Sequence, residues 1–309
     1  MGVTYRHVVV GGLWHGVRSS RPLPEVRPED PAHVLVGRLL GGRFRIDRVL
    51  ARGGMGTLLG GHDEVRATPV VVKVVGGAQR REVVASERLL REAKLACRVQ
   101  HPSIVRVLDL GMLETLEPYL VMEQLVGEDV ASLMARERSF SLAEVVDVAR
   151  SIGEALAELH ASQIVHRDVK TENVFVLADA ALEPRVKLID FGLAILDDET
   201  MTRITGSGHL LGTAEYIAPE CVRGERATPA SDVYALATTL FEMLAGRAPF
   251  AGVSVVDVLV RKTREPAPRF SEIARRHAHL DPFFAAALHR DPRKRPTALE
   301  LVDRFATFD

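Results

Sequence analysis

A chain of 309 residues, 47% hydrophobic and 26% charged, can bury a sizeable core, and its length suggests two domains or lobes. Lys plus Arg is 40 and Asp plus Glu is 41, so no global basic excess points to nucleic acid or an anionic membrane. Cys97 and Cys221 are too few for a disulfide framework or a metal cluster, and no apolar run approaches the roughly 20 residues of a membrane span; a cytoplasmic setting is the expectation.

Residues 1–36 differ from the rest. The stretch Arg18 to Pro31 carries four prolines among alternating charges, and proline removes amide donors and disfavours helix in the residue before it. It reads as an N-terminal tail or linker. From Phe44 the texture becomes β-like. Phe44–Leu50 and the β-branched Thr68–Val75 are strand candidates, separated by a glycine cluster at 53–56. Residues 82–99 place Leu89, Leu90, Ala93, Ala96 and Cys97 at helical spacing. Ile104–Leu110 and Tyr119–Met122 predict two more strands. Beyond Gly127 the pattern is mostly helical. Ser141 and Glu144 fit a capping box, followed by Leu142, Val145, Val146, Ala149, Ile152, Leu156 and Leu159 on one face. Thr297 and Glu300 repeat the box near the end.

Five constellations carry chemistry. In Ala51-Arg-Gly-Gly-Met-Gly56, glycines let a backbone approach a phosphate closely, although a plain glycine-rich hairpin turn has the same composition. Lys73 lies inside an apolar strand, where an ammonium needs an anion; Glu92 is a candidate partner, and a solvent-facing edge-strand lysine is the alternative. In His166-Arg-Asp-Val-Lys-Thr-Glu-Asn173, Asp168 can accept or orient a hydroxyl proton. Lys170 can neutralise charge on a phosphoryl group, and the Asn173 amide oxygen suits Mg²⁺. Asp190-Phe-Gly192 follows the apolar Val186–Ile189 and offers a second oxygen ligand. Ala218-Pro-Glu220, Asp232 and Arg295 offer no reactive group and read as structural, with Glu220 and Arg295 as a buried ion pair.

In this order and spacing the five elements resemble the eukaryotic-like protein kinase superfamily. Gly53-Gly-Met-Gly56, Tyr119-Leu-Val-Met-Glu123 and Gly212-Thr-Ala-Glu-Tyr216 are most similar to its bacterial serine/threonine members. The resemblance implies a two-lobed α+β kinase fold over residues 37–309. The N-lobe, about 37–123, would be an antiparallel sheet with one main helix, and the C-lobe, about 126–309, mainly helical. It implies ATP and Mg²⁺ as cofactors, protein Ser/Thr hydroxyls as acceptors, and self-association as one route to autophosphorylation.

The implied roles follow residue by residue. Leu50, Ala51, Arg52, Gly53, Gly54, Met55, Gly56, Thr57 and Leu58 would cover the nucleotide. Lys73 would hold the α- and β-phosphates, oriented by Glu92. Met122 would be the gatekeeper, and Glu123 and Leu125 would bond the adenine edge. Asp168 would be the base, Lys170 would sit near the γ-phosphate, and Asn173 and Asp190 would hold the metal. Thr213 would bridge towards Asp168 and Lys170. Arg167 would pair with a phosphorylated loop residue, for which Thr202 and Thr205 are the leading candidates. Ala51 and Leu58 depart from the family's usual glycine and valine, and Leu177–Arg185 is longer than usual and expected as a hairpin tip. A binding scaffold on this fold would lack Lys73, Asp168 or Asp190, and all three are present. A small-molecule phosphotransferase is opposed by Gly212-Thr213 and Ala218-Pro-Glu220.

Overall fold

The computed structural model describes residues 33–53, 56–74, 99–115, 117–136, 140–190, 214–250, 252 and 254–308. The expected tail up to residue 32 and the expected helix over 82–98 with Glu92 lie outside these residues. So do Gly54, Met55, Phe191, Gly192, Thr202, Thr205, Gly212 and Thr213.

Six strands form the first lobe: β1 (Leu39–Leu40), β2 (Phe44–Gly53), β3 (Gly56–Asp63), β4 (Thr68–Val74), β5 (Val107–Met112) and β6 (Pro118–Glu123). Their order is β1-β2-β3-β4-β6-β5, with every neighbouring pair antiparallel. Side chains alternate across the sheet. Val70, Val72 and Val74 join Phe44, Ile46, Leu59 and Val121 on the outer face. Val71 joins Leu58, Leu120 and Met122 on the face towards the second lobe. Lys73 shares the parity of Val71 and stands opposite Leu58, so the pleat delivers it to that same face. Ahead of β1, His33–Leu35 makes a 3₁₀ turn, Leu35 packs on the outer core, and the Gly37 amide donates to the Ile46 carbonyl at 2.7 Å.

The expected strand over Ile104–Leu110 starts late, at Val107. Ile104 instead makes a parallel bridge with Leu188, and Leu188 donates to the Ser103 carbonyl at 2.7 Å. The reason is burial: Ile104 belongs to the core of the second lobe and Val105 to the core between lobes, so this segment stitches the two together.

The second lobe is mainly helical: α1 (Val130–Ala135), α2 (Leu142–Ala161), α3 (Pro219–Val222), α4 (Pro229–Ala245), α5 (Val255–Arg264), α6 (Asp281–Ala287) and α7 (Ala298–Ala306). A small sheet, β7 (Gly127–Asp129), β8 (Val174–Leu177) and β9 (Val186–Leu188), lies at its upper edge. Both expected capping boxes form, Ser141 with Glu144 and Thr297 with Glu300; such a cap contributes about 1 kcal/mol. The apolar face of α2 buries Val145, Ala149, Ile152, Leu156 and Leu159 against α4 and α7. Gly153 permits the close approach of α7, because a Cβ there would lie 2.3 Å from Val302 Cγ2. Residues 178–185 form the exposed tip between β8 and β9, as expected. No helix of the described residues is long and apolar enough to cross a membrane.

Candidate active site

The loop that carries the candidate catalytic residues follows α2. Its backbone is held by Asp232 of α4, which accepts from the amides of His166 and Arg167, each at 2.8 Å, and from His160 Nε2 at 2.9 Å. These bonds hold Arg167 at φ 67°, a left-handed conformation that costs a non-glycine residue free energy and persists only where its surroundings enforce it. Asp232 was legible only as a structural residue; its role as the clamp on this loop depends on the fold.

From that clamp the side chains converge. Lys170 Nζ lies 3.0 Å from Asp168 Oδ1. Asn173 Nδ2 donates to the Asp168 carbonyl at 2.7 Å and to Asp168 Oδ2 at 2.9 Å. Burial pushes the Asp168 carboxyl up, and the neighbouring Lys170 ammonium, His166 and the Asn173 amide more than offset it, so its pKa is lowered. Burial likewise opposes the Lys170 charge, and Asp168 outweighs it, so Lys170 remains an ammonium. Asp168 is therefore a carboxylate acceptor held in place by two side-chain donors, Lys170 and Asn173.

Asp190 enters from the other side. The Ile189 amide donates to the Asn173 carbonyl at 2.9 Å, placing Asp190 beside the loop, and Asp190 adopts φ 60°. Lys73 Nζ of β4 lies 2.9 Å from Asp190 Oδ1 and is 3% exposed. The edge-strand alternative is thus excluded: β4 lies between β3 and β6, and Lys73 crosses from one lobe to meet an anion of the other.

The apolar nucleotide-site candidates fall into one cluster spanning the lobes. Leu58, Val71, Met122 and Leu125 meet Phe175, Leu177 and Ile189, with Leu50 and Ala51 packed beside them. Arg52 is exposed, Thr57 is partly buried, and Gly53 pairs with Gly56 across the hairpin. The Glu123 amide donates to the Arg106 carbonyl at 3.0 Å, so a nucleotide contact from Glu123 must use its carbonyl. Its carboxylate accepts from Lys187 of β9 and from the Arg106 amide, each at 2.9 Å, linking the connector to the second lobe. Phe175, Leu177 and Lys187 were not expected here; the period-2 alternation after Asn173 was the available signal.

The donor set fits a hard divalent cation. Asn173 Oδ1 is buried and has no hydrogen-bond partner among the described residues, while its amide nitrogen is engaged twice and so fixes which end points outward. An amide oxygen and the Asp190 carboxylate are the oxygen ligands Mg²⁺ prefers.

A sequence-family model described as "Protein kinase domain" matches residues 44–305. The chain belongs to the protein kinase family. Among curated relatives, this kinase domain is 37% identical over 237 residues to serine/threonine-protein kinase PknA of Mycobacterium tuberculosis, covering 75% of this chain and 54% of that one. It is 32% identical over 276 residues to serine/threonine-protein kinase pkn3 of Myxococcus xanthus, covering 86% and 49%. The kinase domain thus spans about half the length of these relatives. Among solved structures, the Mycobacterium tuberculosis PknI kinase domain superposes with a TM-score of 0.70 at 25% identity, covering 88% of this chain and 98% of that one. The two-lobed kinase fold is the one expected from the sequence.

Proposed function

We propose that this kinase domain transfers the γ-phosphoryl group of Mg-ATP to Ser or Thr hydroxyls of protein substrates. The observation that carries this reading is Asn173, whose amide nitrogen locks Asp168 while its buried oxygen is left for a metal. Phosphoryl transfer asks for positioning and charge stabilisation more than covalent chemistry. Asp168 orients the acceptor hydroxyl and takes its proton as the oxygen bonds to the γ-phosphorus. The bond from that phosphorus to the β–γ bridging oxygen breaks, and ADP leaves. Lys170, held charged, faces the transferring group, and Lys73 supports the other phosphates. Mg²⁺, when held by Asn173 and Asp190, supplies charge neutralisation at the phosphate oxygens.

The apolar cluster around Met122, Leu58 and Phe175 supports an adenine site with the connector at its edge. The protein-type acceptor is supported by the kinship with named serine/threonine-protein kinases. We place regulation on phosphorylation of Thr202 or Thr205, read by Arg167, with a second copy of the chain as one source of the phosphate. The low cysteine count supports a reducing, cytoplasmic setting for the reaction.

The test is transfer of labelled γ-phosphate from Mg-ATP to a generic basic protein, beside Asp168→Asn. Label on wild type alone supports the reading. ATP binding without transfer under any acceptor would favour a scaffold instead. Phosphosite mapping of active protein should find Thr202 or Thr205; a fully active enzyme without loop phosphate removes that part.

A further inference from the structure

Lys262 of α5 is fully buried, yet its partners are three backbone carbonyls and not a carboxylate. Nζ donates to the carbonyls of Ala214 at 3.0 Å, of Ile217 at 2.9 Å, and of Glu215. Carbonyl oxygens only accept, so three such contacts require three N–H groups and hence an ammonium. The ammonium also lies 5.1 Å from the centre of the Tyr234 ring, whose other cationic neighbour is Arg295 at 4.8 Å. Burial pushes the Lys262 pKa well below its ordinary range, with Glu215 acting against that shift. A dry cation without a paired carboxylate is costly, and an apolar side chain of similar length would fill the same space. What the ammonium adds is convergence: it draws three carbonyls from within four consecutive residues to a single point.

That segment faces the catalytic loop. Tyr216, within it, hydrogen-bonds Thr171 at 2.9 Å through its hydroxyl and donates to Glu242. Tyr216, Ile217 and Ala218 line a cavity together with Arg167, Asp168 and Val169. An acceptor approaching Asp168 through this cavity would run along residues 216–218. Resting on the kinase reading above, we propose that Lys262 is a positioning residue for the protein acceptor: it sets residues 214–218 so that the chain flanking the acceptor hydroxyl seats against Asp168. Its described partners, the carbonyls of Ala214, Glu215 and Ile217 and the Tyr234 ring, lie outside the apolar cluster assigned to the nucleotide.

The test is Lys262→Met, close in length but without donors. The KM for an acceptor peptide is expected to rise tenfold or more, while the KM and affinity for ATP stay within twofold of wild type. An unchanged acceptor KM, or a parallel rise for ATP, overturns the proposal. If K262M does not fold, Lys262→Arg keeps a cation but spreads its donors over a planar fork. A rise in acceptor KM alone supports the proposal, and no rise overturns it. Should wild type phosphorylate nothing, the kinase reading fails separately. Hydrogen exchange at amides 214–218 then decides: faster exchange confined to this segment in the variant supports the positioning role, and unchanged or global exchange overturns it.

Discussion

Lys73, in β4 of the first lobe, and Asp190, just past the end of β9, meet at 2.9 Å between the lobes, each largely shielded from water. One contact thus joins the proposed phosphate-binding lysine to the proposed metal-binding carboxylate. Groups that act as a unit lose activity non-additively. Lys73→Met and Asp190→Asn should each lower single-turnover phosphoryl transfer by about 100-fold or more, and the double variant should be little worse than either. Additive losses would show that the two act independently.

In the proposed reaction Asp168 carries the acid-base role and Asn173 the metal role. Asp168→Asn keeps a similar shape but removes the proton acceptor, and the rate should fall by about 10²–10⁴. Asn173→Ala removes the buried oxygen together with a donor to Asp168. Losing even an indirect metal partner costs about tenfold or more, so the Mg²⁺ concentration for half-maximal rate should rise at least that much. A rate loss with unchanged Mg²⁺ dependence would take Asn173 out of the metal site.

Glu242 gives the fold a pH dependence. Burial pushes its carboxyl up to about 7 from an ordinary 4.5; the Tyr216 hydroxyl opposes this, and Glu215 and Glu172 add to it. Between those two values the folded chain keeps a proton the unfolded chain has released. The stability from this group is present below about pH 4.5 and is lost as pH rises through 7. Glu242→Gln should therefore flatten the decline of Tm between pH 5 and 8. The difference is worth on the order of 1–3 kcal/mol across that range. Identical pH slopes for the two proteins would contradict it.

Arg295 and Glu220 form a two-pronged ion pair in the core, with nitrogen–oxygen distances of 2.8 and 2.7 Å, and Ser231 donates to the same carboxylate at 2.7 Å. Removing one partner leaves an uncompensated buried charge, so Arg295→Leu should cost about 3–5 kcal/mol in denaturant unfolding. The double variant with Glu220→Leu should recover much of that loss. If the single variant costs under 1 kcal/mol, the pair is not desolvated as described.

Much of this was legible from residue order. The motif around Asp168 has its chemistry in adjacent positions, and Lys73 betrays itself as a charge in a β-branched strand. The capping boxes at Ser141 and Thr297 are local patterns that depend on four residues each. Even the Arg295–Glu220 pair could be anticipated. Other features had no local signal. The start of β5 moved because Ile104 and Val105 are drawn into two different cores. Phe175 and Leu177 looked like ordinary strand residues until the sheets were brought face to face.

The sequence by itself determined the family, the elements and the reactive groups, because glycines, caps, alternation and catalytic side chains act at fixed short spacings. Only the tertiary structure decided which distant groups meet. Asp232 clamps a loop 65 residues away in sequence, and Lys262 reaches carbonyls 45 to 48 residues earlier. Such contacts depend on where a helix docks and how deeply it is buried. A lysine among arginines on an amphipathic helix reads as a solvent-facing charge, and only packing reveals that its ammonium has been turned inward onto the backbone.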